Sequence, residues 1–131
     1  MSGDKIRVLI VDDISETREN VKKLLQFEND VEVIGIARTG KEAIQASQEM
    51  NPDVVLMDIN MPVMDGFQAT FLIREIERNE KPGKRTSIVA VTANALKGDK
   101  ERCLEVGMDD YISKPYLPSD LERAFHALKA S

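Results

Sequence analysis

The chain has one cysteine, one histidine and a deficit of positive charge. Each shortage removes a class of protein. With Cys103 alone, no intrachain disulfide can form, which fits a reducing compartment and sets the expectation of a cytoplasmic protein. With His126 alone, a histidine-rich metal site is ruled out; beside Phe125 near the C-terminus, it is expected at the surface. Lysine and arginine number 18 against 23 aspartates and glutamates, a net charge of −5, so a generic nucleic-acid surface is not expected. No apolar run approaches the ~20 residues that a membrane helix needs. The opening MSGDKIRVLIVDD lacks the long apolar core and small-residue cleavage site of a signal peptide. Arg38-Thr39-Gly40-Lys41-Glu42 lacks the first glycine and the Ser/Thr after lysine of a P-loop, and no GxGxxG follows any apolar run.

What remains is a soluble composition: 131 residues, 42% hydrophobic and 31% charged, the size of one domain with its core over about 6–129. Short β-branched runs stand at Val8-Leu9-Ile10-Val11, Val54-Val55-Leu56-Met57 and Ile88-Val89-Ala90-Val91. Runs apolar on both faces suit parallel strands covered by helices on both sides. Val31, Val33, Ile34 and Ile36 make a further strand, and Tyr111-Ile112 a short last one.

Helical patterns lie between them. Ser15 to Phe27 puts Val21, Leu24 and Leu25 on one side and Arg18, Glu19, Lys22 and Lys23 elsewhere, with Asp13 or Ser15 able to cap. Thr39-Gly40-Lys41-Glu42 reads as a capping box before inward-facing Ala43, Ile44 and Ala46. Asp65 opens a helix with Ala69, Leu72, Ile73 and Ile76 inward, and a helix near Lys100 to Val106 stops at Gly107. Ser119-Asp120-Leu121-Glu122 is read as another capping box, with Leu121, Phe125 and Leu128 buried behind it. Asn79 to Arg85, polar and broken by Pro-Gly, is the expected loop. The order is a βα unit repeated five times, an α/β doubly wound parallel sheet.

Ligands bind such sheets at the carboxyl ends of the strands, near the reversal of strand order. Asp12 and Asp13 follow the first run, Asp58 the third, Thr92 the fourth and Lys114 the fifth. Any one strand-end aspartate is more often a helix cap or loop residue than a ligand; the signal lies in all five falling at one edge. Like charges ~4 Å apart repel by about 4 kcal/mol at an effective dielectric of 20. A hard cation relieves this, and a few carboxylates completed by water and phosphate suit Mg²⁺. An open Mg²⁺ site beside a carboxylate, a lysine and a hydroxyl is what phosphoryl transfer onto a carboxylate needs.

The segments VLIVDD at 8–13, DVVLMDINMPVMDG at 53–66, VAVTANA at 89–95 and DDYISKP at 109–115 carry a resemblance. The chain is similar, over nearly its whole length, to the receiver domain of two-component response regulators. The resemblance implies a flavodoxin-like (βα)5 fold with a five-stranded sheet of order 2-1-3-4-5. It implies that Asp58 takes phosphate from a phosphohistidine of a histidine kinase or phosphotransfer protein. Asp13 and Asp58 would bind Mg²⁺ through their side chains and Asn60 through its carbonyl, with Asp12 holding a metal-bound water. Lys114, joined to Pro115 by a cis bond, would contact the phosphoryl group. Thr92 would move toward the phosphate and Tyr111 would rotate inward, while Asn60 and Asn94 would tune dephosphorylation. The face of the last two helices, with Lys97, Lys100, Arg102, Glu122 and Arg123, would be read by a partner or a second copy, giving a monomer or a phosphorylation-dependent homodimer. The stretch from Val91 to Pro115 is similar to receivers of hybrid sensor kinases, and the start to stand-alone or effector-linked regulators, the pattern of a natural or engineered mosaic.

Two other classes compete. A Mg²⁺-dependent phosphatase with an aspartate nucleophile places its D-x-D pair after the first strand, whereas here Asp58 follows the third and Asn60 replaces the second acid. A flavin binder needs a Ser/Thr-Gly-rich loop after the first strand, and the acidic edge is hostile to a flavin phosphate. Met57, Met61 and Met64 are read as packing, and Cys103 as a structural residue on the inner side of its helix.

Overall fold

In a computed structural model, described for residues 5–26, 28–83, 85–92, 97–114 and 118–129, five strands alternate with five helices. They are β1 (Ile6–Val11), α1 (Ser15–Leu25), β2 (Val31–Ala37), α2 (Gly40–Met50), β3 (Val54–Asp58), α3 (Gly66–Glu80), β4 (Ser87–Thr92), α4 (Lys97–Val106), β5 (Asp110–Ser113) and α5 (Pro118–Lys129). The sheet is parallel with order β2-β1-β3-β4-β5, the order the receiver resemblance implies. No helix among the described residues is long and apolar enough to cross a membrane.

Alternation along each strand divides the core in two. Leu9, Val11, Val55, Met57, Ile88 and Ala90 point to α2, α3 and α4, where they meet Ala43, Phe67, Ile73 and Cys103. Val8, Ile10, Val54, Leu56, Val89, Val91 and Ile112 point to α1 and α5, onto Val21, Leu25, Leu121 and Phe125. Successive side chains of a strand point to opposite faces, so a strand buried on both must be apolar at every position. β3 meets this requirement throughout, with all five residues buried. β2 lies at an edge, and Ile36 is exposed there.

Several local expectations change. The side chains of Asp13 and Ser15 do not cap α1; Ile14 occupies the cap position, and its N–H donates to Asp12 Oδ1 at 2.9 Å. Arg18 is buried, not on the wet side, and its Nη1 donates to Asp12 O at 2.9 Å. Leu72 is exposed; the inner face of α3 carries Phe67, Ala69, Thr70, Ile73, Arg74 and Glu77 instead. α5 already begins at Pro118, so Ser119 lies in its first turn instead of capping it. Arg102 is exposed, and its guanidinium stacks 4.3 Å from the Phe67 ring centroid of α3. Thr39 caps α2 as expected, accepting from Glu42 N at 3.1 Å, while Glu42 accepts from Arg38 N. Asp65 caps α3 by accepting from Gln68 N at 2.9 Å, and α4 ends at Gly107 with φ +103°, the left-handed stop glycine permits. Cys103 is buried and His126 exposed, as read. Phe27, Asn94 and Pro115, and the side chains of Lys97, Lys100 and Leu128, lie outside the described residues.

A buried ionic clamp closes the end of the sheet opposite the acids. Arg74 Nη1 donates to Glu77 Oε1 at 2.7 Å and to Thr86 O at 2.8 Å, Nε to Gly107 O at 2.9 Å, and Nη2 to Asp109 Oδ2 at 3.0 Å. Glu77 Oε2 accepts from Thr86 N at 2.8 Å, and Arg85 donates to Asp109 Oδ1 at 2.9 Å. One guanidinium thus ties α3 to the starts of β4 and β5.

Candidate acidic site at the carboxyl edge

β1 and β3 are neighbours in the sheet, but α1 and α3 leave them for opposite faces. That divergence is the strand-order reversal, and it opens a crevice at the carboxyl ends. Asp12, Asp13 and Asp58 stand in it. One carboxylate oxygen from each lies within 4.8 Å of the others. Asp12 and Asp58 are buried and Asp13 is exposed, so the cluster has two walls and one open side.

Each acid is held by its backbone surroundings. Asp12 N donates to Ala37 O at 3.0 Å, and Asp12 Oδ1 receives the Ile14 N–H. Asp58 Oδ1 accepts from Asn60 N at 2.9 Å, and Ile59 N donates to Val91 O at 3.0 Å. Gly66 is required behind Asp58. A Cβ there would lie 2.6 Å from Asp58 O and 2.8 Å from Ile59 Cα, both backbone atoms that cannot step aside.

Lys114 enters from the end of β5. Its Nζ stands 3.1 Å from Asp12 Oδ2 and 3.5 Å from Asp58 Oδ2, and its backbone N donates to Thr92 O at 2.7 Å. Thr92, fully buried, ends β4 between β3 and β5. Tyr111 is half-buried, packed against the core on the α2–α4 side. The five residues expected at one edge are therefore there, with Asn60 exposed at the lip after Asp58.

The electrostatics are unbalanced. Burial pushes the Asp58 carboxyl above its usual range; the Asn60 N–H and Lys114 pull it down, and Asp12 and Asp13 push it up again. Among the described residues one ammonium, on Asp12 and Asp58, stands against a cluster of three carboxylates, so the cluster favours a cation. All donors are hard oxygens with an open side for water or substrate, a set that fits a small hard divalent ion and not a soft one. The same arrangement is hostile to a bound anion unless a cation accompanies it.

Sequence reasoning missed three contributors. Arg18 gave only a charged residue at helical spacing. Gly66 gave only the residue after a cap. The Arg74–Glu77 pair was visible as an i,i+3 pair, but its burial depends on Thr86, Gly107 and Asp109, which no local pattern connects.

Comparison with known proteins agrees with this geometry. A family model for the response regulator receiver domain matches residues 8–126. Hybrid signal transduction histidine kinase I of Dictyostelium discoideum is 44% identical over 117 residues, covering 86% of this chain and 6% of that protein. A protein-glutamate methylesterase/protein-glutamine glutaminase of Carboxydothermus hydrogenoformans is 41% identical over 113 residues, 85% of this chain and 30% of that one. The chain thus spans only a minor part of these relatives. Among solved structures, the receiver domain of a Pseudomonas aeruginosa sensor histidine kinase superposes with TM-score 0.80 at 35% identity, covering 97% of this chain and 99% of that one; it has a magnesium ion coordinated in its active site cleft. The signal receiver domain of the NarL response regulator of Mycobacterium tuberculosis gives 0.85 at 27% identity, covering 95% and 96%. With the acidic crevice at the strand-order reversal and the family match over nearly all its length, the chain belongs to the response regulator receiver domains, phosphoacceptor modules of signal relays and not enzymes in the usual sense.

Proposed function

We propose that the chain is one receiver unit that accepts a phosphoryl group on Asp58 with Mg²⁺ bound beside it. The observation that carries this reading is the set of three carboxylates within 4.8 Å of one another, with Lys114 between Asp12 and Asp58. Asp13 and Asp58 would hold the ion through their side chains and Asn60 through its carbonyl, with Asp12 holding a water of the ion. When bound, Mg²⁺ supplies positive charge against the phosphoryl oxygens.

The chain's own residues do the rest. Asp58 is the nucleophile: its carboxylate oxygen attacks phosphorus, and the bond from phosphorus to the donor nitrogen breaks. Lys114 exchanges part of its contact with Asp12 and Asp58 for the incoming oxygens. Thr92 donates its hydroxyl to another oxygen, and Tyr111 follows into the space behind it. The new charge at Asp58 favours a different arrangement of Thr92, Tyr111 and α4, which shifts the population that a partner reads. The donor is a phosphohistidine of a kinase or phosphotransfer protein. A histidine phosphotransfer protein of Saccharomyces cerevisiae was co-crystallised with a similar receiver, 28% identical to this chain. The setting is the cytoplasm, as a monomer or a dimer formed on phosphorylation.

Incubation with acetyl phosphate and Mg²⁺ tests the reading. Intact-mass measurement should show gain of one phosphoryl group, absent in Asp58→Asn and absent in chelator. Labelling of Asp58→Asn to the wild-type level would end the assignment, and many turnovers of a phosphate ester with little labelled protein would point to a phosphatase.

A further inference from the structure

α3 and α4 lie side by side on one face of the sheet, and a groove of about 480 Å³ runs between them. Met64, Phe67, Phe71, Leu72, Arg102 and Val106 line it. Its walls are apolar apart from Gln68 and Arg102, and among the described residues no carboxylate lines it. Phe71 is 53% exposed and Leu72 38%. The apolar pattern of α3 therefore extends past its buried stripe into solvent. Two adjacent large apolar side chains beside an apolar groove make a continuous patch of the kind that marks a contact surface.

The charges of this face identify what covers it. The Arg102 guanidinium is held at one end of the groove, 4.3 Å from the Phe67 ring centroid. Glu75 is half-buried and pairs with exposed Arg78, a surface ion pair of little strength. Phe67, Phe71 and Glu75 follow one another at intervals of four on α3, along one side of the helix. At the helical rise, Phe67 and Glu75 stand about 6 Å to either side of Phe71. A two-fold axis crossing α3 at Phe71 sets the α3 helices of two copies antiparallel. It lays Phe71 against its counterpart and brings the Arg102 guanidinium of each copy to Glu75 of the other. Cation and carboxylate stand at equal distances from an apolar centre, which is the self-complementary pattern an isologous contact requires. A small ligand would fill the groove and leave Phe71 and Leu72 wet; a second copy covers them.

We propose that two copies of this chain associate through the α3–α4 face, with Phe71 at the two-fold axis and Arg102 paired with Glu75 of the second copy. This names the surface of the dimer formed on phosphorylation, and it rests on the acceptor reading for its trigger. α4 is one wall of the groove, and it is the helix whose arrangement the charge at Asp58 changes. Leu104 takes no part in the contact. It is 54% exposed, but it lies two residues beyond Arg102, about 200° round the helix, on the flank away from the groove.

The test is light scattering on size-separated protein, with intact mass read on the same sample after acetyl phosphate and Mg²⁺. Wild type should label and form a dimer. Phe71→Lys should label alike and need at least about tenfold more protein to reach the same dimer fraction. Leu104→Lys should match wild type in both. Arg102→Glu and Glu75→Arg should each weaken the dimer about tenfold alone, because like charges then meet. An equimolar mixture of those two variants should restore it, because both contacts between opposite charges return. A loss of folding does not produce that rescue. Labelled wild type that stays monomeric overturns the interface and leaves the acceptor reading standing. So does loss of the dimer in Leu104→Lys but not in Phe71→Lys, or a mixture of the charge variants no better than either alone. Wild type that takes no label overturns the acceptor reading, and the dimer it triggers falls with it.

Discussion

Replacing Asp58 by asparagine should make the metal-free protein more stable, although it removes the acceptor. The three acids lie within 4.8 Å of one another, so at an effective dielectric of 20 each pair of charges repels by at least about 3.5 kcal/mol. Asp58 has two such neighbours, a cost of about 7 kcal/mol. Lys114, 3.5 Å away, returns about 4.7 kcal/mol. The Asn60 N–H at 2.9 Å returns about 1.5–3 kcal/mol. These nearly cancel, and desolvation of a side chain that is 3% exposed remains, of order 1–2 kcal/mol in this partly polar setting. The direction agrees with the raised Asp58 carboxyl: with the charge and hydrogen-bond contributions offsetting one another, burial is what raises it. A raised carboxyl holds its proton more tightly folded than unfolded. Its contribution to stability is complete below the ordinary value near pH 4 and is lost as pH rises through the folded value. Asp58→Asn keeps the shape and can still accept from Asn60, but it carries no charge. In chelator at pH 7 its melting temperature should exceed wild type by roughly 3–8 °C. The gain should shrink as pH falls and vanish below about pH 4, where the wild-type acid is neutral too. A variant melting at or below wild type at pH 7, or a gain that does not depend on pH, would refute the electrostatic account.

Two further outcomes follow from the same geometry. Millimolar Mg²⁺ should raise the melting temperature of wild type and raise it far less in Asp13→Asn, because the exposed acid supplies the open side of the cluster; a tenfold excess over Kd is worth about 1.4 kcal/mol, and an unchanged wild-type curve would count against a formed site. Arg74→Ala should cost about 3 kcal/mol in urea unfolding, chiefly because it strands buried Glu77 and also frees the more exposed Asp109, while acetyl phosphate should still label the folded protein within about twofold of the wild-type rate. A loss below about 1 kcal/mol would show that water replaces the clamp.

The sequence by itself determined the strands, the sheet class and the residues of the acidic edge. Strands buried on both faces leave unbroken apolar runs, and a strand that ends at a site places its first polar residue there. Asp12, Asp58 and Lys114 were legible for that reason. Helix starts were less legible, since cap geometry turns on one or two residues: Thr39 and Asp65 cap, but Ser119 and Ser15 do not. Only the tertiary structure decided that Arg18 is buried against Asp12, that Gly66 must lack a Cβ, that Arg74 gathers carbonyls from two distant segments, and that Val63 is strained and exposed. These depend on contacts between residues far apart in the chain, or on a backbone angle imposed by the ends of a loop. Periodicity records which side of an element is dry; it does not record what stands opposite.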